Sequence, residues 1–182
     1  MINDIIKFLA ACLSLVVFSV PVIAAESTHA ELFTTINQRL GLMQAVALYK
    51  AQNQIAVVDI AREQIVITDA KLSAAQLGLD PDSIEDFFAA QIAVAKAIQY
   101  RYRADWLATA PVDEAVNLES EIRPALTHLG GKIITLLAAT IRSQGNFSER
   151  QREHFYAAIS QGHVSVQDRQ LLFDALLNVR AD

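Results

Sequence analysis

From residue 28 to the carboxyl terminus, apolar residues recur at intervals of three and four positions along most of this chain. That spacing places them on one stripe of an α-helix, whereas a strand with one buried face alternates with a period of two. The first run consists of Leu32, Ile36, Leu40, Met43, Val46 and Ala47. The β-branched residues at 57–58 and 65–67 would suit a strand, but no hairpin turn or partner strand accompanies them. The pattern therefore predicts an all-α fold.

Capping signals divide the chain into about six predicted helices. The tetrapeptide that begins at Thr28 has the form of a capping box, Asp59 can cap a second helix, and Asp80 followed by Pro81 begins a third. The predicted helices cover about residues 32–51, 59–77, 80–106, 118–142, 148–162 and 165–182. Because no stretch has the pattern of a separate core, we predict a single-domain helical bundle.

The first 25 residues have the order of a secretory signal peptide. Lys7 precedes the apolar run of residues 8–20, and small residues follow at Ala24 and Ala25, where we expect cleavage. The apolar run approaches the ~17 residues that span a bilayer, so an uncleaved membrane anchor is the alternative. Cys12 is the only cysteine and lies in this segment. The mature chain would therefore lack thiol catalysis and cysteine-bound zinc.

Charge and motif content exclude several functional classes. The chain has 15 Lys and Arg against 20 Asp and Glu, a net charge of −5 at pH 7, and no basic run. Since nucleic-acid binding requires clustered cations, we expect no nucleic-acid partner. The histidines lack metal-ligand spacing, and the sequence contains no Gly-rich phosphate loop and no nucleophile elbow. We therefore expect neither a metal nor a cofactor.

Cations at core-facing positions are the most informative feature of the sequence. Eleven residues of helix turn through about 1100°, so Arg39 and Lys50 point in nearly the same direction from the two ends of one apolar stripe. Lys132 lies on another apolar stripe, and a third ends at Gln99. Each cation alone could extend past the apolar residues to solvent. Because an unpaired buried charge is strongly destabilising, several converging cations instead indicate a bound dianion.

The spacing of charged residues on the first two predicted helices resembles the signature of a known family, the all-helical AroQ-class chorismate mutases. Segment 88–106, with its Phe-x-x-Gln-Ile pattern, is similar to the secreted, gamma-subclass branch of that class. The resemblance is close over residues 32–106 and looser over residues 122–137. The charged residues that carry it are Arg39, Lys50, Asp59, Arg62 and Glu63.

This resemblance implies an isomerase that converts chorismate to prephenate by a unimolecular pericyclic rearrangement. The reaction requires no nucleophile, metal or cofactor. The enzyme must hold the two carboxylates of its substrate and stabilise negative charge on the ether oxygen. By resemblance, Arg39 and Lys132 bind carboxylates. Lys50 contacts a carboxylate and the ether oxygen, and Gln99 donates a hydrogen bond to that oxygen.

The resemblance also assigns the ring-hydroxyl end of the substrate to the start of the second predicted helix. Arg62 and Glu63 hold the hydroxyl, and Asp59 orders the turn. Taken alone, these three residues could simply form a helix cap and an exposed ion pair. The implied catalytic residues are Lys50, Gln99, Arg39 and Glu63, and Asp59, Arg62 and Lys132 complete the substrate-binding set.

Three positions depart from the family pattern. Lys132 stands where arginine is usual, Ala95 replaces a hydroxyl residue, and Val66 replaces a frequent glutamine. They keep open a second hypothesis, a non-catalytic helical module that binds an anion or signals. On the enzyme hypothesis, residues 26–108 carry most of the motif and residues 117–182 complete the pocket. We expect a periplasmic or secreted homodimer with a site within each protomer and no membrane contact after signal cleavage.

Overall fold

The computed structural model describes residues 22–182, with side chains from residue 28 onward. Within that range the chain forms seven α-helices, a π-helical turn and a 3₁₀ turn, and no strand beyond an isolated bridge between Leu79 and Ala181. The prediction of an all-helical bundle is confirmed. The predicted signal segment up to residue 21, with Cys12, lies outside the described residues. The helices are α1 (Val22–Gly41), α2 (Met43–Gln52), α3 (Ile60–Gln76), α4 (Pro81–Ala108), α5 (Arg123–Gln144), α6 (Arg152–Ala158) and α7 (Val166–Leu177).

The first predicted helix is two helices in the structure, and it begins earlier than predicted. Because α1 begins at Val22, Thr28 lies inside the helix, and the prediction of a capping box there is wrong. The helix is interrupted at Leu42, directly after Gly41. Glycine weakens a helix, and this one is closely packed, since a Cβ atom here would lie 3.0 Å from the side chain of Gln161. No loop separates α1 from α2.

The start of α3 and the start of α4 match the predicted capping signals. Asp59 Oδ1 accepts a hydrogen bond from the backbone N–H of Arg62 at 3.1 Å. Asp80 Oδ1 accepts one from the backbone N–H of Asp82 at 2.9 Å. Residues 65–67 lie within α3, so the preference for helix over strand was correct there. The capped start of α3 is the point where several site residues come together.

The carboxyl-terminal half follows the predicted order of helices but differs in several bounds, and α7 ends at Leu177 rather than at residue 182. A π-helical turn, Leu118–Ile122, precedes α5 and is capped by the side chain of Asn117. A 3₁₀ turn, Glu149–Gln151, leads into α6. α6 ends at Ala158, four residues before the predicted end, because Ile159 adopts extended backbone and is buried in the core.

One apolar core joins the two halves of the chain. α1 packs against α5 and α6, and α4 packs against α2, α3 and α7. The ring of Phe155 lies 5.1 Å from that of Phe33 and 5.3 Å from that of Phe173, measured between centroids. By length and composition alone, Leu118–Gln144 could also cross a bilayer, a property that it shares with core helices of soluble bundles. This core sets the distances between the helices that surround the site.

Candidate active site

Helices α1 to α5 surround a cavity of about 250 Å³. Apolar side chains such as Met43, Val46, Phe88 and Ile92 form much of its wall. An apolar cavity with a few convergent charged groups is the usual form of a small-molecule site. The polar and charged side chains on its wall are Arg39, Lys50, Asp59, Arg62, Glu63, Asp69, Ser73, Lys96, Gln99, Arg123 and Thr127.

Six of the seven residues predicted for the site line this one cavity, and they come from four helices and one cap. The apolar seam predicted to end at Gln99 also faces the cavity, through Phe88, Ile92 and Ala95. The six are Arg39 of α1, Lys50 of α2, Asp59 at the cap of α3, Arg62 and Glu63 of α3, and Gln99 of α4.

Lys132 does not line the cavity, contrary to the prediction. Its ammonium group forms an ion pair with Glu31 of α1, 2.8 Å from Oε1, and its side chain is partly exposed. The apolar stripe on which it was predicted to lie is the partly exposed flank of α5. Because α5 is apolar on two adjacent faces, helical periodicity did not determine which face meets the core. The buried residues of α5 are Gly130, Ile133, Ile134, Leu137, Ala138, Thr140 and Ile141.

Arg123 is the cation that α5 contributes to the cavity, and it was not among the predicted site residues. One terminal nitrogen donates to Glu119 Oε2 at 2.6 Å, and the other donates to Asp59 Oδ2 at 3.3 Å. A spacing signal was present in the sequence, because the cavity-lining residues of α5 follow Arg123 at intervals of three and four. These residues are Leu126, Thr127, Gly130, Gly131 and Ile134.

Arg39 is buried without a carboxylate partner in the described part of the chain. Its side chain is 6% exposed, and Nε and Nη1 have no hydrogen-bond partner there. The guanidinium carbon lies 5.9 Å from the ring centroid of Phe88, within the range of a cation–π contact. Burial lowers the pKa of Arg39 to about 10, because the cation has lost its solvating water. Unpaired guanidinium donors at a cavity wall suit a carboxylate ligand.

Lys50 is the second buried cation, and its side chain is 7% exposed. Nζ donates a hydrogen bond to the backbone carbonyl of Val57 at 2.7 Å, which connects α2 to the loop before α3. Burial lowers the pKa of Lys50, Asp59 opposes that shift, and Arg123 adds to it. Since an ammonium group has three donors, the contact with Val57 leaves donors for a ligand.

The amide of Gln99 lies between its own helix and the cavity. Nε2 donates to the backbone carbonyl of Ala95 at 3.1 Å and lies 3.6 Å from the sulfur of Met43. Oε1 is buried and has no partner among residues 28–182. In this orientation the amide offers an acceptor. A rotation of about 180° around its last bond exchanges the two atoms and offers a donor instead.

Charges of alternating sign surround the start of α3. Glu63 Oε2 accepts a hydrogen bond from Lys96 Nζ at 2.7 Å, and Oε1 accepts one from the backbone N–H of Asp59 at 3.4 Å. Asp59 also pairs with Arg123. Lys96 was not predicted as a site residue, since its partner lies on another helix 33 positions earlier. Asp59 and Glu63 thus pair with Arg123 and Lys96 rather than with Arg62, and all of these residues line the cavity.

The cavity wall has an excess of positive charge. Five cationic side chains and three carboxylates line it. Asp59 and Glu63 pair with cations, whereas Arg39 and Lys50 form no ion pair within the described range. The same range holds no cluster of three His, Cys, Asp or Glu side chains that could bind a metal ion. Because charges interact strongly in an apolar cavity, this arrangement can bind a small dianion and stabilise negative charge that develops on it.

Replacing Arg39 by methionine is expected to stabilise the free protein while impairing binding. The change removes a buried cation whose donors are unpaired, and methionine fills similar space, so the free energy of unfolding should rise by about 1–2 kcal/mol. Urea unfolding followed by circular dichroism measures the difference. Lys132→Met is the control and should change the free energy by no more than about 0.5 kcal/mol. A clear loss of stability in Arg39→Met would show that the guanidinium is satisfied in the free protein.

Comparisons with known proteins agree with this geometry. Residues 26–100 match the family model for chorismate mutase type II. The chain is 34% identical over 149 residues to the monofunctional chorismate mutase of Enterobacter agglomerans, covering 82% of each protein. It is 34% identical over 145 residues to the secreted chorismate mutase of Yersinia pestis, covering 80% of this chain and 78% of that protein. A crystal structure of secreted chorismate mutase from Yersinia pestis is similar with a TM-score of 0.78 and 33% identity, covering 84% of this chain and 98% of the other.

The fold and the cavity define a class, that of all-helical proteins with a buried, cation-rich ligand site. The identity and coverage of the relatives then define the family. The chain belongs to the type II chorismate mutase family. The resemblance inferred from the spacing of charged residues is thereby confirmed.

Proposed function

We propose that the cavity binds chorismate and that its charged residues catalyse rearrangement to prephenate. The family relationship supports an isomerase of this activity. The single observation that carries the proposal at the level of the site is the pair of buried cations. Arg39 and Lys50 line one cavity, and neither pairs with a carboxylate of residues 28–182. Because unpaired buried cations destabilise a protein, their arrangement favours an anionic ligand.

The charge of chorismate is complementary to the excess positive charge of the cavity wall. The substrate has two carboxylates, a flexible enolpyruvyl arm joined through an ether oxygen, and a ring hydroxyl. The rearrangement breaks the C–O bond of the ether, forms a C–C bond, and builds negative charge on the ether oxygen as the bond breaks. The protein must therefore hold the arm over the ring and stabilise that oxygen. Fixed cations in an apolar cavity serve both purposes.

In the proposed binding mode, Arg39 and Arg123 bind the two carboxylates of the substrate. Arg123 takes the role first predicted for Lys132, and its guanidinium restores the planar, two-point geometry that a lysine lacks. Lys50 contacts a carboxylate and the ether oxygen. Gln99 donates to that oxygen after its amide rotates away from Ala95. Since Arg123 already pairs with Glu119 and Asp59, the incoming carboxylate must compete for it.

At the ring-hydroxyl end, Glu63 is the proposed acceptor and Arg62 its neighbour on the wall. Asp59 orders this region, because its side chain caps α3 and its N–H contacts Glu63. Two departures from the family pattern, Val66 and Ala95, add apolar groups to the wall. We expect them to weaken substrate binding without removing turnover, since the charged groups remain.

The comparisons support the enzyme and give no support to the alternative, a non-catalytic anion-binding or signalling module. They also support export, since a relative that aligns with 80% of the chain is a secreted chorismate mutase. The protein is a secreted or periplasmic enzyme. The net charge of −5 argues against a nucleic-acid partner.

A homodimer with a complete site in each protomer remains our proposal for the assembly. Six of the seven residues predicted for the site line a cavity of one chain, which supports a site that does not depend on a partner. Large apolar side chains exposed on the surface offer area for pairing. They include Ile60, Leu72, Leu107 and Val112.

Loss of chorismate absorbance on adding the purified protein tests this function. The pH dependence of kcat/KM and of kcat tests the site. We expect kcat/KM to be flat from about pH 6 to about pH 8, because Gln99 does not titrate. It should fall in alkali as Lys50, whose pKa is lowered by burial, loses its proton. Bound dianion favours the charged lysine, so kcat should fall at higher pH than kcat/KM. Absence of turnover would refute the proposed function, and a collapse just above pH 6 would indicate an essential acid at the site.

A further inference from the structure

Lys96 joins the cavity wall to Glu63 through a direct ion pair. Its Nζ donates to Glu63 Oε2 at 2.7 Å, and the two side chains are 30% and 22% exposed. Both residues line the cavity. The other oxygen of Glu63 accepts the backbone N–H of Asp59 at 3.4 Å. The carboxylate is therefore held from two sides, one contact to each oxygen.

A second lysine joins the same two helices at a position outside the cavity. Lys71 connects the same two helices, α3 and α4, by pairing with Asp82 and Glu85. Its side chain is 31% exposed, nearly the same as that of Lys96, but it does not line the cavity. Partly exposed ion pairs contribute little to stability. A gain in stability therefore does not explain why one of the two pairs, that of Lys96 with Glu63, lies at the cavity.

The other cavity-lining residues of α4 offer Glu63 no charged partner. Ala95 and Ile92 present only apolar groups to the cavity, and the amide nitrogen of Gln99 donates to its own helix. Lys96 is thus the charged cavity-lining residue of α4 in the described structure. A glutamate side chain has three rotatable bonds and loses considerable entropy when it is fixed. A carboxylate oxygen that accepts one hydrogen bond retains a lone pair for another donor.

We propose that Lys96 is a positioning residue that holds the carboxylate of Glu63 in the orientation that accepts the ring hydroxyl of the substrate. The inference rests on the proposed role of Glu63 and extends it to a residue that touches Glu63 rather than the reacting atoms. Holding the carboxylate before binding reduces the entropy lost when substrate is bound and keeps the ring aligned under the enolpyruvyl arm.

Steady-state kinetics of four variants test this role in the full-length protein. Lys96→Met should lower kcat/KM about tenfold, because the freed Glu63 carboxylate would no longer be placed to accept the ring hydroxyl in the transition state. Lys96→Arg should restore kcat/KM to within about threefold, since the charge and a donor return. Lys71→Met, the matched control, should leave kcat/KM within about twofold. Glu63→Gln should itself lower kcat/KM about tenfold or more.

The double variant Lys96→Met/Glu63→Gln separates positioning from a direct contact with substrate. If Lys96 acts through Glu63, adding Lys96→Met to Glu63→Gln should change kcat/KM by less than about twofold. A full additional tenfold loss would overturn the proposal, as would a Lys96→Met enzyme as active as Lys71→Met. If Lys96→Met does not fold, the same cycle with Lys96→Gln gives the answer. Unchanged kinetics in Glu63→Gln would refute the proposed role of Glu63 itself. That result differs from unchanged kinetics in Lys96→Met alone, which would refute only the role of Lys96.

Discussion

Lys50→Ala is expected to lower kcat by about 10²–10³, the usual loss when one donor to a developing oxyanion is removed. Lys50 is fixed on α2 by its contact with the Val57 carbonyl, and its buried ammonium lines the cavity. We therefore expect its position to differ little between free and bound protein, so that little reorganisation is needed as charge grows on the ether oxygen. Chorismate consumption under substrate saturation measures the effect.

The control for this variant is Lys71→Ala, which removes a lysine of α3 outside the cavity and should retain normal kcat. Circular dichroism of both variants shows whether the fold is intact. A Lys50→Ala enzyme with near-normal kcat and a raised KM would mean that Lys50 only binds the ground state of the substrate. Its assignment to the ether oxygen would then be abandoned.

Arg123→Met is expected to lower kcat/KM by about 10², whereas Lys132→Met should stay within about twofold of the wild type. The two residues are nine positions apart on α5. Arg123 lines the cavity and pairs with Asp59, but Lys132 pairs with Glu31 outside it. Loss of a charge that contacts a substrate carboxylate is costly, and loss of a partly exposed ion pair is not. The reverse result would mean that Lys132, and not Arg123, binds the substrate carboxylate.

Mixing two variants with strongly lowered kcat/KM tests whether the site is complete in one chain. Arg39→Met and Arg123→Met are combined under conditions that allow subunits to exchange. If both residues act in the same cavity of one protomer, every protomer keeps one lesion and the mixture keeps the low kcat/KM of the variants. Recovery of roughly a quarter of the sites would show that one of the two residues reaches across an interface.

Much of the bundle and most of the site could be predicted because they depend on local chemistry. Asp59 and Asp80 cap helices through contacts with residues two or three positions away, so their sequence context was sufficient. The intervals between Arg39, Lys50 and the Asp59 cap were enough to suggest the family. Each of these residues lines the same cavity, although α1 and α2 are separate helices.

Local sequence signals gave the wrong helix bounds where contacts with other segments set them. The capping box at Thr28 satisfied a local rule, but α1 begins six residues earlier. Gly41 lies at the break between α1 and α2 and packs against Gln161, a residue 120 positions away in the chain. A glycine in a helical pattern does not reveal such a contact, since the pattern carries no information about distant segments.

The sequence by itself determined which residues share a direction on each helix, because the angle between them follows from 3.6 residues per turn. Only the tertiary structure decided which direction faces the cavity. On α5 two adjacent faces are apolar, and packing against α1 and α3 turned Arg123 inward and left Lys132 beside Glu31. The pairing of Lys96 with Glu63 was likewise decided by the contact between α3 and α4. Periodicity fixes angles within a helix, whereas the rotation of a helix about its own axis is set by the surfaces that pack against it.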